Sequence, residues 1–154
     1  MDDDLRDLYQ EVILDHGKNP RNFRHPEDAS HEALGNNPLC GDRLTVYLRL
    51  DEGRNILDAA FEGKGCAISI ASASMMTDMV KGKSLAEVKK LFERFHKMCT
   101  GDDDGGIADG FEDELEKLKV MSGVRQFPMR VKCATLAWHA MNAAAEGEDA
   151  ATTE

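Results

Sequence analysis

The sequence has no excess of basic charge, no long apolar run and no closely spaced cysteine pair. Its 154 residues carry 19 Lys and Arg against 29 Asp and Glu, a formal net charge of −10. Binding a phosphate backbone needs a basic surface, so nucleic acid is excluded as the expected partner. The acidity fits a partner with a basic docking face, or simply a well-solvated surface. No apolar stretch approaches the ~20 residues of a membrane span. The four cysteines, Cys40, Cys66, Cys99 and Cys133, are too dispersed for the disulfide framework of a small secreted domain. They also lack the Cys-x-x-Cys pairs of zinc ribbons. Met1-Asp2-Asp3-Asp4 carries the wrong charge for a secretory or mitochondrial presequence. The expectation is a soluble protein of a reducing cytoplasm, with its thiols free for metal binding or exchange chemistry.

What is present reads as one domain over 1–146, with a flexible tail over 147–154 and no internal repeat. Leu5, Leu8, Tyr9, Val12 and Ile13 make the apolar stripe of a first helix that stops near Gly17. Arg43 to Leu50 alternates with period two, Asp51 to Asn55 supplies turn residues, and Ile56 to Glu62 returns as the second arm of a hairpin. His31 to Asn37 adds a further strand. Ala67 to Val80 is an Ala-, Ser- and Met-rich helix, and Ser84 with Glu87 matches a capping box opening the next. That helix aligns Leu85, Val88, Leu91, Phe92, Phe95 and Met98. Thr100 to Gly110 is an acidic loop, Glu112 to Met121 a short charged helix, and Pro128 precedes a last helix from about Arg130 to Ala145. Strands first and helices afterwards predict an α+β fold: a small antiparallel three-stranded sheet with helices on one face.

Three cysteines sit where a thiolate would be presented. Cys66 follows Gly63-Lys64-Gly65 and opens a helix, whose N-terminus lowers a thiol pKa. Cys40 precedes Gly41 in a loop, so that Cys40 and Asp42 can face one point. Cys133 falls in the first turn of the last helix, beside Lys132 and Arg130, whose charge would favour its thiolate. A lone cysteine is as readily a small buried hydrophobe, and for Cys133 both readings stand. Cys99 continues the apolar stripe of its helix and reads as core. His16, His25, His31, His96 and His139 have no ligand spacing among themselves. Asp102-Asp103-Asp104 lacks the terminal glutamate of a calcium loop and reads as a solvated segment. Residue types and spacing therefore stop at a candidate metal–thiolate site.

Longer stretches join these segments. Leu8 to His16 with Lys18 to Asn22, Asn37 to Asp42, and Phe61 to Ser69 resemble the IscU-like (NifU N-terminal domain) iron–sulfur cluster assembly proteins. Gly123-Val124-Arg125 and Arg130 to Trp138 are similar to the SufU branch of that family. Scaffolds of the IscU type carry a histidine directly before the third site cysteine. This chain has Lys132 there, and a longer segment over about 100–122. Both departures point to the SufU branch.

The resemblance implies a zinc ion held by Cys40, Asp42, Cys66 and Cys133, with Cys40 as the catalytic thiol. It implies a sulfurtransferase that accepts persulfide sulfur from a PLP-dependent, SufS-type cysteine desulfurase and passes it to SUF cluster-assembly proteins. Zinc suits such ligands, being tetrahedral and redox-inert. Three thiolates and a carboxylate leave the site a dianion, for which Arg125 and Lys132 are candidate balancing charges. The alternative is a scaffold building a [2Fe–2S] cluster on the same ligands, since donor softness does not separate iron from zinc. A zinc site that only ties the segments together is a third reading.

Overall fold

The computed structural model describes residues 3–38, 40–100 and 110–152. Its elements are α1 (Asp3–Lys18), β1 (His31–Asn37), β2 (Asp42–Leu50), β3 (Ile56–Lys64), α2 (Ala67–Val80), α3 (Leu85–Thr100), α4 (Glu112–Leu118), a 3₁₀ segment (Lys119–Gln126), α5 (Pro128–Ala145) and β4 (Ala150–Thr152). The α+β architecture is as expected, with one correction. The sheet has four strands in the order β3-β2-β1-β4. The added strand is parallel: Leu34, Gly35 and Asn36 of β1 register with Ala150, Ala151 and Thr152. Three small residues carry no strand periodicity, so nothing local marks them; they pair because α5 returns the chain beside the open edge of β1.

The antiparallel hairpins behave as their alternation predicts. Leu44, Val46 and Leu48 of β2 are fully buried on the inner face, where they meet Ala33 of β1 and Phe61 of β3. Helices α2 and α5 cover that face. Gly35 permits the close approach of α5, since a Cβ there would lie 3.0 Å from that of Ala140. On the outer face the His25 ring stacks on Tyr47 at 4.3 Å, and the Tyr47 hydroxyl donates to Glu62 Oε1 at 3.0 Å. Burial, and then Glu62, push the Tyr47 phenol up to about 12.

Buried serines explain why α2 is rich in small polar residues without weakening the core. Each hydroxyl finds a partner on another segment, as buried polar groups must. The Ser72 hydroxyl donates to the Ala134 carbonyl of α5, and the Trp138 indole N–H reaches Ser72 Oγ at 3.2 Å. Ser74 Oγ accepts from the Arg21 amide at 2.8 Å and lies 2.7 Å from His16 Nδ1. The capping box is present: Ser84 N–H donates to Glu87 Oε1, and Glu87 N–H to Ser84 Oγ, both at 3.1 Å. Cys99 is fully buried in the core, on the stripe that predicted it.

Two boundaries move. The expected helix over Glu112 to Met121 ends at Leu118 and tightens into the 3₁₀ segment, where Ser122 and Gly123 are poor α-formers. Helix α5 begins at Pro128, which occupies the first turn rather than preceding the helix. The acidic run Asp102-Asp103-Asp104 and Leu39 lie outside the described residues, as do the side chains of Arg125, Leu5 and Leu8.

Candidate metal centre

The β1–β2 turn, the β3–α2 junction and the second turn of α5 converge at one end of the sheet. Asn37 and Asp42 pair across the end of the β1–β2 ladder. The Asn37 carbonyl accepts from Gly41 N–H at 2.9 Å and Cys40 N–H at 3.3 Å. Gly41 completes the turn at φ +74°, and Cys40 is left exposed at its tip. Asp42 opens β2 with its side chain buried, as hydrophobic alternation along that strand requires.

Cys66 is the N-cap of α2, as its Gly-x-Gly approach predicts. The two glycines have separate tasks. A Cβ on Gly63 would lie 2.1 Å from the Arg43 carbonyl, so only glycine allows β3 to run this close to β2. A Cβ on Gly65 would press to 3.0 Å against Asp42 Oδ1. That oxygen instead accepts Cys66 N–H at 2.9 Å, and Oδ2 accepts the Ser69 hydroxyl at 2.7 Å. A buried carboxylate without such donors would be strongly disfavoured. The Cys66 thiol lies 3.6 Å from Ser69 Oγ and 4.0 Å from Asp42 Oδ2.

Cys133 departs from its expected setting. It is in the second turn of α5, not the first, because Pro128 starts the helix early. It is 2% exposed and faces inward, whereas Lys132 is half-buried and Arg130 is exposed. Burial first, then the Asp42 carboxylate and the Cys66 thiol, push its thiol pKa well up rather than down. Its sulfur lies 3.7 Å from Cys40 Sγ and 4.0 Å from Asn37 Nδ2.

Donor atoms of Cys40, Asp42 and Cys133 all lie within 4.8 Å of one another. Cys66 is outside that mutual set and joins it through Asp42. Zn–S bonds of about 2.3 Å place two sulfurs about 3.8 Å apart on a tetrahedron. The observed Cys40–Cys133 separation of 3.7 Å fits that edge. The two sulfurs and one carboxylate gathered in this set therefore suit a thiophilic cation. Asn37 and Ser69, both fully buried, were not marked as site residues by the sequence. A serine three residues after a cysteine N-cap was the available signal for Ser69; nothing local signals Asn37.

The model of the NifU-like N terminal domain matches residues 8–102. The chain belongs to this family. A zinc-dependent sulfurtransferase, SufU of Bacillus subtilis, is 42% identical over 139 residues, covering 89% of this chain and 88% of that protein. An iron–sulfur cluster assembly scaffold protein, IscU of Streptococcus pyogenes serotype M1, is 41% identical over 140 residues, covering 91% and 84%. A solved structure described as an assembly scaffold for the SUF system, from Fervidobacterium islandicum AW-1, superposes with a TM-score of 0.77. It is 34% identical, with 88% of this chain and 94% of that chain covered. Within this NifU-like fold, no described helix is long and apolar enough to cross a membrane.

Proposed function

We propose that this NifU-like protein is a zinc-dependent sulfurtransferase that takes persulfide sulfur from a PLP-dependent cysteine desulfurase for SUF-type iron–sulfur cluster assembly. The observation that carries the reading is the unequal pair at the site: Cys40 exposed on a glycine turn, Cys133 buried 3.7 Å away. Cys40, Asp42, Cys66 and Cys133 would hold the ion, which when bound keeps the thiols deprotonated near neutral pH. Cys66 at a helix N-cap and Cys133 within a helix are held by backbone; Cys40 is free to turn outward. The Cys40 thiolate attacks the outer sulfur of the desulfurase persulfide. One S–S bond forms to Cys40 as the original S–S bond breaks, the desulfurase thiolate leaves with its electron pair, and no net oxidation occurs. Lys132, half-buried at the start of α5, is a candidate for balancing the site's negative charge. The similarity to SufU of Bacillus subtilis supports the same reading.

The test is desulfurase turnover with and without this protein. Cys40→Ala is expected to abolish the stimulation given by the wild type; stimulation at the wild-type level would overturn the acceptor role. A second reading, a scaffold assembling a [2Fe–2S] cluster on the same ligands, is favoured by the similarity to scaffold proteins. Anaerobic reconstitution with iron and sulfide separates the two. A cluster that transfers intact to an apo-acceptor supports the scaffold; a cluster that does not form or transfer supports sulfur relay.

A further inference from the structure

We propose that Asn37 decides which of the paired thiolates stays on the metal: its side-chain amide fastens Cys133, while its carbonyl sets the turn that presents Cys40. The inference rests on the reading that these cysteines hold a metal ion. Asn37 touches both ligands through different groups. Its Nδ2 points to Cys133 Sγ at 4.0 Å, and its backbone oxygen accepts the Cys40 and Gly41 amides. The pairing of Asn37 with Asp42 fixes both contacts at the end of one ladder.

The amide is an expensive choice for this position. Asn37 is fully buried, and its Oδ1 has no hydrogen-bond partner among the described residues. An unmet buried acceptor is destabilising, and an apolar side chain would avoid that cost. The group that does find a partner is the N–H, and that partner is a ligand sulfur. A donor on a coordinated sulfur withdraws charge from it, steadies it as a ligand and blunts it as a nucleophile. Cys133 receives this donor and is buried. Cys40 is exposed, and its sulfur lies 3.7 Å from that of Cys133. The asymmetry leaves Cys40 as the thiolate that departs and reacts.

The experiment is timed alkylation with iodoacetamide of the zinc-loaded protein, followed by peptide mass mapping of all four cysteines. Wild type is expected to label Cys40 first and Cys133 last of the three site cysteines, with Cys99 unlabelled. Asn37→Asp keeps the shape and removes the N–H donor; Asn37→Ala removes the whole group. Each is expected to raise labelling of Cys133 relative to Cys40 by about ten-fold, with the core residue Cys99 still unlabelled. An unchanged ratio with zinc still bound one per chain would overturn the role of Asn37. If Asn37→Ala exposes Cys99, Asn37→Asp decides; exposure of Cys99 in both would assign Asn37 to the fold and overturn the inference. Wild-type protein that binds no zinc would overturn the metal reading itself, and is told apart by metal analysis before labelling.

Discussion

The sulfurs of Cys40 and Cys133 stand 3.7 Å apart although one side chain is exposed and the other is 2% exposed. They come from a turn and a helix separated by 93 residues in sequence. Two thiols of equal chemistry are thereby given unequal freedom.

Ser69 holds the carboxylate between them. Its hydroxyl donates to Asp42 Oδ2 at 2.7 Å while the Cys66 amide takes Oδ1. Ser69→Ala leaves a buried oxygen short of a donor, at a cost of about 1–3 kcal/mol to the metal-free fold. Zinc affinity is expected to fall about ten-fold or more, read by competition with a chromophoric chelator. Wild-type affinity would show that Asp42 needs no such support.

The capping box should affect stability alone. Ser84→Ala removes the reciprocal bonds with Glu87 and is expected to cost about 1 kcal/mol of unfolding free energy. Denaturant melts measure that loss, and zinc affinity should be unchanged, because the cap lies outside the site's hydrogen-bond network. A parallel loss of zinc binding would mean that the site depends on global stability.

Acid should weaken the metal-free fold before its carboxylates titrate. His16 and His139 both have pKa values below the ordinary histidine range, through burial first, then Arg21 beside His16 and His96 beside His139. The native state thus binds fewer protons than the unfolded state in that range. Stability is full above the unfolded pKa of about 6.5 and declines as pH falls through it toward the native values. Asp15, Asp51, Asp58 and Glu87 are lowered, chiefly by hydrogen-bond partners. Their contributions are present above the ordinary carboxylate range of about 4 and lost only below it. Denaturation midpoints between about pH 7 and 5 should therefore fall in wild type and flatten in His16→Gln/His139→Gln. Equal slopes in both would contradict this.

Much of the fold was legible because its signals are local. The alternation of Arg43 to Leu50, the Ser84 and Glu87 spacing and the stripe ending at Cys99 each depend on neighbours within a few residues. Cys66 was legible as a helix N-cap for the same reason. The environment of Cys133 was not. Sequence places it beside Lys132 and Arg130, yet tertiary packing buries Cys133 while Arg130, one turn earlier, stays exposed, and the groups that surround Cys133 come from Asn37, Cys40, Asp42 and Cys66. Strand β4 was hidden too, since its pairing with β1 depends on where α5 ends rather than on Ala150 or Ala151 themselves. The resemblance of motifs joined Cys40, Asp42, Cys66 and Cys133, but the supporting amide and hydroxyl emerge only from tertiary contacts.

The central claim is that Cys40 accepts sulfur. The zinc-loaded protein, incubated with a PLP-dependent cysteine desulfurase and cysteine and then alkylated without reductant, reports it by peptide mass mapping. One added sulfur atom is expected on the peptide carrying Cys40 and none on those carrying Cys66, Cys99 or Cys133. Added sulfur on Cys133 or Cys66 with Cys40 unmodified, or no sulfur on any cysteine while the desulfurase turns over, would contradict it.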